Sequence, residues 1–423
     1  MKGMSTEQLR IAEIANKHAE EGLTNLHQYI DVKWLETSMR KMNKQSAAGI
    51  DRETWYEYES RSEARLPELL KLFKTGEYKA PPVRRVYIEK EDGKKRPLGI
   101  PPIEDKLLQG AVKGVIEPIY EQIFADFSYG FRPGKSPHQA LERIWKEIMH
   151  KNIRFILDID IQNYFGSIDY PNLREMLDKR VKDGVIRRQI DKWLKAGIFE
   201  DGSVHYEKAG TPQGGSISPL LSNIYLHYVA DEWYKEIRPL LRGKSFMVRY
   251  ADDCVLGFEL EEDAQRVMKV IGKRFAKFGL TLHPEKTRMI EFKPESKDAT
   301  FDFLGFTHYW GNSRKGNPIV KRRTSKKKLK KAISAMTDWI KENRHQKKGF
   351  LIAKLNSKLK GHYSYYGITF NFVGISEFFE ETKRTLFKWL NRRGGKQFIW
   401  DDFTKTITEY IPLAKPKIVH CYL

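Results

Sequence analysis

The stretch FMVRYADDCVL, residues 246–256, sets two adjacent carboxylates, Asp252 and Asp253, between two short apolar runs. Apolar flanks around a polar pair predict a tight β-hairpin whose strands are buried and whose tip carries the acids. Acids held at such a tip can share divalent cations. An isolated pair of aspartates is also typical of a solvated surface turn, so its meaning depends on the rest of the chain.

A second acidic segment lies upstream, in FILDIDI at residues 155–161. Asp158 and Asp160 fall on one face of this predicted strand, because side chains alternate with a period of two. Three carboxylates that converge from two neighbouring strands are what a two-metal phosphoryl-transfer site requires. In such a site the ions lie about 3.5–4 Å apart and stabilise the attacking and leaving oxygens.

A glycine-rich segment, GTPQGGSISPLLSN at residues 210–223, lies between the two acidic segments. Its glycines permit positive φ and would let a nucleotide or a template backbone approach closely. Gln213 offers both a donor and an acceptor to a base or sugar edge. The segment therefore predicts a nucleotide-binding loop.

The order of these motifs resembles a known family. LDIDIQNYFGSID (157–169), GTPQGGSISPLLSN, RYADD (249–253), LTLHPEKT (280–287) and FLGF (303–306) resemble the palm of a reverse transcriptase. GIPPIEDKLLQ (99–109), FSYGFRPGKSPHQAL (127–141) and LKGHYSYYGI (359–368) resemble group II intron-encoded reverse transcriptases (maturases) and their free-standing bacterial relatives. The likeness runs from about Ala47 to the C-terminus.

The resemblance implies an α+β fold, a right-hand polymerase with fingers and palm (an antiparallel palm sheet with helices) and an α-helical thumb. Residues 1–80 are then a helical N-terminal extension, with a helical pattern from Thr6 to about Lys44. Residues 81–310 are the fingers and palm, and residues 311–423 are a thumb similar to maturase domain X.

The resemblance also implies the metal ligands. In polymerase palms the metal-binding aspartate lies five residues before an aromatic residue that crowds the sugar 2′ position. Asp160 and Phe165 fit that spacing, whereas Asp158 does not. Asp160, Asp252 and Asp253 are thus expected to bind two Mg²⁺ ions, with Mn²⁺ as a substitute. Phe165 is the expected steric gate that favours deoxynucleotides, and a plain core aromatic is the alternative.

Other positions follow from the same resemblance. Lys286 is expected to protonate the leaving pyrophosphate. The segments 81–90 and 94–101 predict a basic hairpin, in which Lys90 and Arg96 match the residues that hold the incoming phosphates; Arg suits this role because its fork binds phosphate oxygens bidentately. A solvated basic hairpin is the alternative. Arg132 is expected either to contact the template or to pack the fingers.

A lysine-rich segment at residues 321–331 enters a predicted helix, and two more helices are predicted at Leu351–Leu359 and Phe378–Leu390. A helical thumb with a cationic face would clamp a duplex through its phosphates. The expected contacts are Lys326, Lys327, Lys330 and Lys331. A solvated charged face is the alternative.

Bulk properties agree with a nucleic-acid partner. The formal net charge is +21 and the pI is near 9.6, which indicates a polyanionic partner. The chain has two cysteines, so neither a disulfide framework nor a cysteine zinc site is expected. The sequence shows no signal peptide and no apolar run near the roughly 20 residues that span a bilayer. These features predict a bacterial cytoplasmic protein with no membrane partner.

The main expectation is an RNA-directed DNA polymerase that takes an RNA template, a DNA primer or cDNA product, and deoxynucleoside triphosphates. The template would be a structured intron or a noncoding RNA. No nuclease motif is visible, so any endonuclease step of intron mobility would be absent or supplied by another protein. Two alternatives stay open: a splicing maturase that chiefly binds RNA, and a domesticated reverse transcriptase of antiphage defence. The second is left open by the divergent N-terminus and by two departures from the family pattern, Gly166 where members usually have Asp and Tyr170 where they often have His.

Overall fold

The computed structural model describes residues 4–89, 93, 95–200, 202–206, 209–210, 214–296, 298–393 and 397–421, with the side chain of Arg96 excepted. Its helices are α1 (Thr6–Lys17), α2 (Val32–Arg40), α3 (Trp55–Glu59), α4 (Ser62–Thr75), α5 (Ile103–Glu121), α6 (Pro137–Lys151), α7 (Tyr170–Asp178), α8 (Gly184–Leu194), α9 (Ser218–Leu226), α10 (Glu232–Ile237), α11 (Glu261–Ala276), α12 (Lys326–Asn343), α13 (Lys348–Tyr366), α14 (Phe372–Leu390) and α15 (Trp400–Lys405). Its strands are β1 (Val83–Glu89), β2 (Lys95–Ile100), β3 (Phe155–Ile159), β4 (Ile198–Glu200), β5 (Ser203–His205), β6 (Ser245–Tyr250), β7 (Asp253–Phe258), β8 (Arg288–Glu291), β9 (Thr300–Phe303), β10 (Phe306–Asn312) and β11 (Pro318–Thr324). This mixture agrees with the α+β class expected from the sequence.

The chain divides into two compact units, of which the first comprises residues 1–140 and 157–289. Helix α5 is central to its core, because apolar residues recur along its length at helical spacing. The buried ones include Ile103, Leu107, Leu108, Ala111, Val112, Val115, Ile116 and Ile119. Helices α1 and α2 pack on α5, where Gln8 Nε2 donates to Gly114 O at 3.0 Å and Trp34 Nε1 donates to Ala111 O at 3.0 Å.

Two sheets organise the strands that flank the motifs. One has the order β2-β1-β4-β5, and the other has the order β6-β7-β3-β8. Strands β1 and β2 pair antiparallel with Val86 opposite Leu98, which confirms the predicted basic hairpin. Asp92, in the predicted turn of that hairpin, lies outside the described residues. Strands β6 and β7 also pair antiparallel.

The second unit comprises residues 141–156 and 290–423. It contains a sheet of order β11-β10-β9 and the helices predicted from the lysine-rich segment onward. Helices α12 and α13 both pack against α14. The core of these helices includes Leu329, Met336, Ile340, Leu351, Leu355, Leu359, Ile375, Phe378 and Leu386. Among the described residues, no helix is both long and apolar enough to span a membrane.

Candidate active site

The predicted hairpin at residues 246–256 is present. Tyr250 pairs with Asp253 across β6 and β7, so that Ala251 and Asp252 form a two-residue turn. The flanking apolar residues are buried, whereas Asp252 is half-buried and Asp253 is exposed. Both acids therefore lie at the tip of a buried hairpin, as predicted.

Strand β3 is the neighbour of β7 in the sheet, and Asp160 follows its last residue. Leu157 and Ile159 are buried, whereas Asp158 and Asp160 are half-buried, as the predicted alternation requires. Burial raises the pKa of the Cys254 thiol on β7. The charge of Arg249 opposes this rise, and the charges of Asp231, Asp158 and Asp253 add to it. The charges of carboxylates from β3 and from the hairpin tip thus both affect the Cys254 thiol.

The segment LTLHPEKT lies against the end of β3. Leu282 forms a β-bridge with Ile161, and His283 N donates to Asp160 O at 2.8 Å. Thr287 Oγ1 lies 3.3 Å from both the backbone N and the backbone O of Asp160. These contacts fix the backbone of Asp160 and bring the next part of the segment to its side chain.

The carboxylate of Asp160 contacts Lys286. Lys286 Nζ lies 3.3 Å from Asp160 Oδ2, and the two side chains are 60% and 36% exposed. Ion pairs this exposed contribute at most about 1 kcal/mol, so Lys286 can exchange for another partner at little cost. Arg288 Nε lies 3.9 Å from Asp158 Oδ2. Asp158 thus has a different cationic partner from Asp160.

The donor chemistry of the three aspartates fits magnesium, which prefers oxygen ligands and commonly uses one or two carboxylates. In the described part of the chain, however, no group of three or more His, Cys, Asp or Glu side chains lies in a metal-holding arrangement. The carboxylate of Asp160 contacts Lys286 instead, so the metal role of these acids stays a prediction.

Phe165 lies in a one-turn 3₁₀ helix, Tyr164–Gly166, directly after the acidic strand. Its side chain is buried and makes an edge contact with the ring of Tyr164, with centroids 5.4 Å apart. Tyr164 donates its hydroxyl hydrogen to Ser222 O at 2.6 Å, which anchors that ring in the interior. At Gly166, a Cβ would lie 2.5 Å from Asn163 Nδ2, so Asn163 occupies the space that a side chain at residue 166 would need.

The glycine-rich segment is described only in part, because Gln213 lies outside the described residues. Gly214 has a φ of +125°, and a Cβ there would lie 2.4 Å from Gly99 O. This glycine is therefore required by the close approach of the chain's own strand β2. Lys90 and the side chain of Arg96 likewise lie outside the described residues, so the three nucleotide-binding assignments at these positions stay predictions.

Arg132 is buried. Its guanidinium forms an ion pair with Glu121 at 2.9 Å and donates to Ala125 O and Ser128 O at 2.6 and 2.8 Å. Of its two expected roles, this geometry supports packing.

The four lysines expected to grip a duplex lie in the first two turns of α12 in the second unit, and all four are exposed. Lys326, Lys327, Lys330 and Lys331 thus present charge to solvent, as both the clamp and the solvated-face interpretation require.

Sequence reasoning missed a buried polar group behind the hairpin tip. Arg249 is 1% exposed and forms an ion pair with Asp231, which is 0% exposed. An arginine that follows the apolar run Phe246–Val248 within one strand was the available signal. Its partner could not be found from the sequence, because Asp231 lies in a π-helical turn, His227–Asp231, that no local pattern predicts.

Comparison with known proteins identifies the family. The model of the family described as reverse transcriptase (RNA-dependent DNA polymerase) matches residues 88–308. The chain is 35% identical over 285 residues to the group II intron-encoded protein LtrA of Lactococcus lactis subsp. cremoris, which covers 66% of this chain and 47% of that protein. It is 31% identical over 296 residues to the protein YkfC of Escherichia coli strain K12, which covers 62% of this chain and 76% of that protein.

A third relative is an uncharacterized 91 kDa protein in a cob intron of Schizosaccharomyces pombe, 38% identical over 173 residues, or 41% of this chain and 21% of that protein. The chain thus spans about half the length of LtrA and less of the fungal protein. The family model covers more than half of this chain and contains the acidic strand, the glycine-rich segment and the hairpin tip. A right-hand polymerase fold is what this family implies. The chain belongs to the reverse transcriptase (RNA-dependent DNA polymerase) family, and its resemblance to the group II intron-encoded members is confirmed.

Proposed function

We propose that this protein is an RNA-directed DNA polymerase, encoded by a group II intron, that copies an RNA template into cDNA by two-metal nucleotidyl transfer. The observation that carries the proposal is the hairpin tip with Asp252 and Asp253, beside the strand that Asp160 directly follows. We assign residues 81–310 to fingers and palm, residues 311–423 to a thumb, and residues 1–80 to an N-terminal extension.

Asp160, Asp252 and Asp253 would hold two Mg²⁺ ions, with Mn²⁺ as a substitute. Bound there, the ions would stabilise the attacking 3′-oxygen of the primer and the leaving oxygen of the pyrophosphate. The fixed backbone of Asp160 supports this role, because Thr287 and His283 hold the main chain while the carboxylate keeps a weak, exchangeable partner.

Lys286 is the proposed proton donor to the leaving pyrophosphate. Its ammonium group lies beside Asp160 and is exposed, so it can turn toward a bound triphosphate once Asp160 takes another partner. Lys90 and Arg96 are proposed to hold the incoming phosphates and Gln213 to contact the nucleotide. Phe165 is proposed to crowd the 2′ position.

The lysines of α12 support a grip on the template duplex. Lys326 and Lys330 are spaced i,i+4, as are Lys327 and Lys331, and like charges at this spacing repel. They also lie at the helix N-terminus, whose partial positive charge disfavours cations. The arrangement is unfavourable for the isolated helix, and a phosphate backbone would relieve it. Residues 290–423 carry more than twice as many Lys and Arg as Asp and Glu, which favours a nucleic-acid partner for this unit.

The names of two relatives, one a group II intron-encoded protein and one a protein in an intron, favour an intron RNA as the template. We therefore include RNA binding for splicing as an associated role. Neither of these names refers to antiphage defence, and the match to LtrA does not favour that alternative.

Replacement of one hairpin acid tests the proposal. Asp252→Asn removes a ligand charge and is expected to abolish Mg²⁺-dependent cDNA synthesis on a primed RNA template, while RNA affinity changes no more than a few-fold. Asp401→Asn is the matched control, because Asp401 is an exposed aspartate of the second unit, and this variant should extend the primer at the wild-type rate. Wild-type extension by Asp252→Asn would overturn the metal assignment.

A further inference from the structure

We propose that Arg249, Asn223 and Gly130 are positioning residues that hold the Ala251–Asp252 turn in the geometry needed for metal binding, with Asp231 as the counter-ion of Arg249. The inference rests on the proposed function and extends it to residues that touch neither metal nor nucleotide. It concerns residues of the first unit, all within the described part of the chain.

The turn needs external support, because Ala251 has a φ of 56°. This left-handed region is disfavoured for residues with a Cβ. The favoured two-residue hairpin turns have positive φ at their first residue, which is why glycine, asparagine or aspartate is preferred there. A chain that places alanine there must hold the turn with contacts from elsewhere.

Arg249 supplies one contact from beneath. Its NH1 group donates to Ala251 O at 3.0 Å and to Asn223 Oδ1 at 3.0 Å. Its Nε and NH2 groups donate to the two carboxylate oxygens of Asp231 at 2.7 and 2.5 Å. This bidentate pairing fixes the plane of the guanidinium, and thereby the direction of the bond to the turn.

Gly130 supplies the second contact. A Cβ at residue 130 would lie 2.2 Å from Ala251 N and 2.9 Å from Tyr250 C. Both are backbone atoms of the turn, so no side chain could move aside to make room. Asn223 ties this contact to the first, since its Nδ2 group donates to Gly130 O at 2.6 Å.

The segment before Gly130 is also bonded to the hairpin. Tyr129 N donates to Arg249 O at 2.8 Å, and Arg249 N donates to Phe127 O at 2.9 Å. The main chain of residues 127–130 therefore lies along β6 up to the turn, and any shift of Gly130 would shift the turn with it.

The π-helical turn His227–Asp231 places the counter-ion. His227 Nδ1 lies 3.9 Å from Asp231 Oδ2, but burial lowers the pKa of His227 to about 3, so the imidazole is neutral at physiological pH. Arg249 is then the charged partner of Asp231 in this group. Turns of this kind inside helices are frequent at functional sites.

The sharpest test uses glycines, because removing one partner of a buried ion pair is strongly destabilising and variants at Arg249 or Asp231 could fail to fold. Gly130→Ala adds one methyl group against the turn backbone. Gly272→Ala on α11 is the matched control, since a Cβ there meets nothing within 4 Å. Asn223→Ala is a second variant that loosens the same contacts by deletion instead of by crowding.

Three measurements apply to each variant: amide hydrogen exchange of the peptide that spans residues 250–254, Mn²⁺ binding followed by electron paramagnetic resonance, and the Mg²⁺ concentration that gives half-maximal primer extension. In the Gly130→Ala and Asn223→Ala variants, the amide hydrogens of this peptide should exchange faster and Mn²⁺ should bind more weakly. Half-maximal primer extension should require a higher Mg²⁺ concentration. The extension rate should fall about 10²-fold, the loss that a misplacement of about 1 Å can cause. Template–primer affinity should hardly change.

A merely structural role would lower the folded fraction without moving the Mg²⁺ midpoint of the molecules that remain folded. The inference is overturned if Gly130→Ala and Asn223→Ala show the same hydrogen exchange of residues 250–254, the same Mn²⁺ binding and the same Mg²⁺ midpoint as Gly272→Ala. If the unaltered protein fails to extend a primer, the proposed polymerase function fails instead, and hydrogen exchange with Mn²⁺ binding still decides whether these residues hold the turn.

Discussion

Two kinds of contact meet at Asp160. Hydrogen bonds from buried Thr287 and from the His283 amide hold its backbone, whereas an exposed lysine contacts its carboxylate. A rigid main chain with an exchangeable side-chain partner is suited to a ligand that must accept and release an ion. The same lysine is the proposed proton donor, so one movement of Lys286 would both free the ligand and deliver the acid.

The proposed steric gate at Phe165 can be tested by substitution. Phe165→Ala should open space beside the nucleotide sugar and raise ribonucleotide incorporation relative to deoxynucleotide. The measurement is the ratio of kcat/KM for the two substrates on one primed RNA template. Tyr164→Phe is the control, because it removes the hydroxyl bond to Ser222 and keeps the ring.

The alternative interpretation of Phe165 predicts a different result. If the ring only fills the core, its removal should destabilise the protein by about 3–5 kcal/mol and leave the substrate ratio unchanged. That outcome would exclude Phe165 as the gate and make Tyr164 the next candidate.

Local patterns located the acids but not their supports. Strand alternation and a two-residue turn depend on neighbours in sequence, which is why Asp160, Asp252 and Asp253 could be placed in advance. Arg132 and Arg249 depend on partners at Glu121 and Asp231. No local rule specifies such partners, so the burial of these arginines could not be derived from charge and spacing.

Among the helices and strands, too, the features set by local sequence were predicted and those set by distant contacts were not. The basic hairpin and helices α12–α14 follow from periodicity, and the structure contains them. The N-terminal pattern predicted helix from Thr6 to about Lys44, yet α1 ends at Lys17 and α2 begins at Val32. Tertiary contacts explain the break: Arg180 donates to Ala15 O at 2.7 Å and to Glu21 O at 2.9 Å, and so ends the first helix.

A buried carboxyl joins three elements of the first unit. Asp105 on α5 accepts hydrogen bonds at Oδ1 from Trp193 of α8 at 2.7 Å and from Tyr78, after α4, at 2.9 Å. Burial raises the pKa of Asp105 from its ordinary 3.8 to about 7, while these two hydrogen bonds oppose the rise. The carboxyl is thus mainly protonated in the folded protein below neutral pH.

This pKa fixes the direction of a pH effect on stability. Between pH 3.8 and about 7 the folded state binds the proton and the unfolded state has released it, so the free energy of unfolding falls as pH rises, by up to about 1.4 kcal/mol per pH unit. Asp105→Asn keeps the Oδ1 acceptor and does not titrate. The free energy of unfolding should be measured by chemical denaturation at pH 5 and at pH 8. Its decrease between the two pH values should be smaller in Asp105→Asn than in the wild type by about 2–3 kcal/mol.

A control separates this residue from the rest of the titration. Glu104 is the neighbouring acid on α5, and its side chain is 25% exposed. Burial is the main cause of the raised pKa of Asp105 and the Glu104 charge only adds to it, so Glu104→Gln should keep most of the pH dependence that Asp105→Asn loses. Equal pH dependence in the wild type and Asp105→Asn would show that Asp105 does not hold its proton in the folded state.

For the whole molecule, the net charge of +21 makes affinity for nucleic acid depend on salt. Binding to phosphates releases counterions, and each contact adds about 0.7–0.9 to the slope of log affinity against log salt concentration. Exposed lysines that meet only water add nothing to this slope. Salt dependence therefore distinguishes a clamp from a solvated face, which exposure alone does not.

Changing Lys326, Lys327, Lys330 and Lys331 together to Gln should lower that slope by about 3 and shorten the cDNA made before the protein dissociates. The rate of adding one nucleotide at saturating template should barely change, because the proposed metal ligands are intact. The control changes four exposed lysines of the first unit, Lys244, Lys269, Lys273 and Lys277, to Gln. Both variants lose the same net charge, so a loss of slope confined to the α12 variant identifies local contacts, whereas equal losses would indicate a general charge effect. An unchanged slope with unchanged product length would mean that the α12 lysines face only solvent and that another surface holds the duplex.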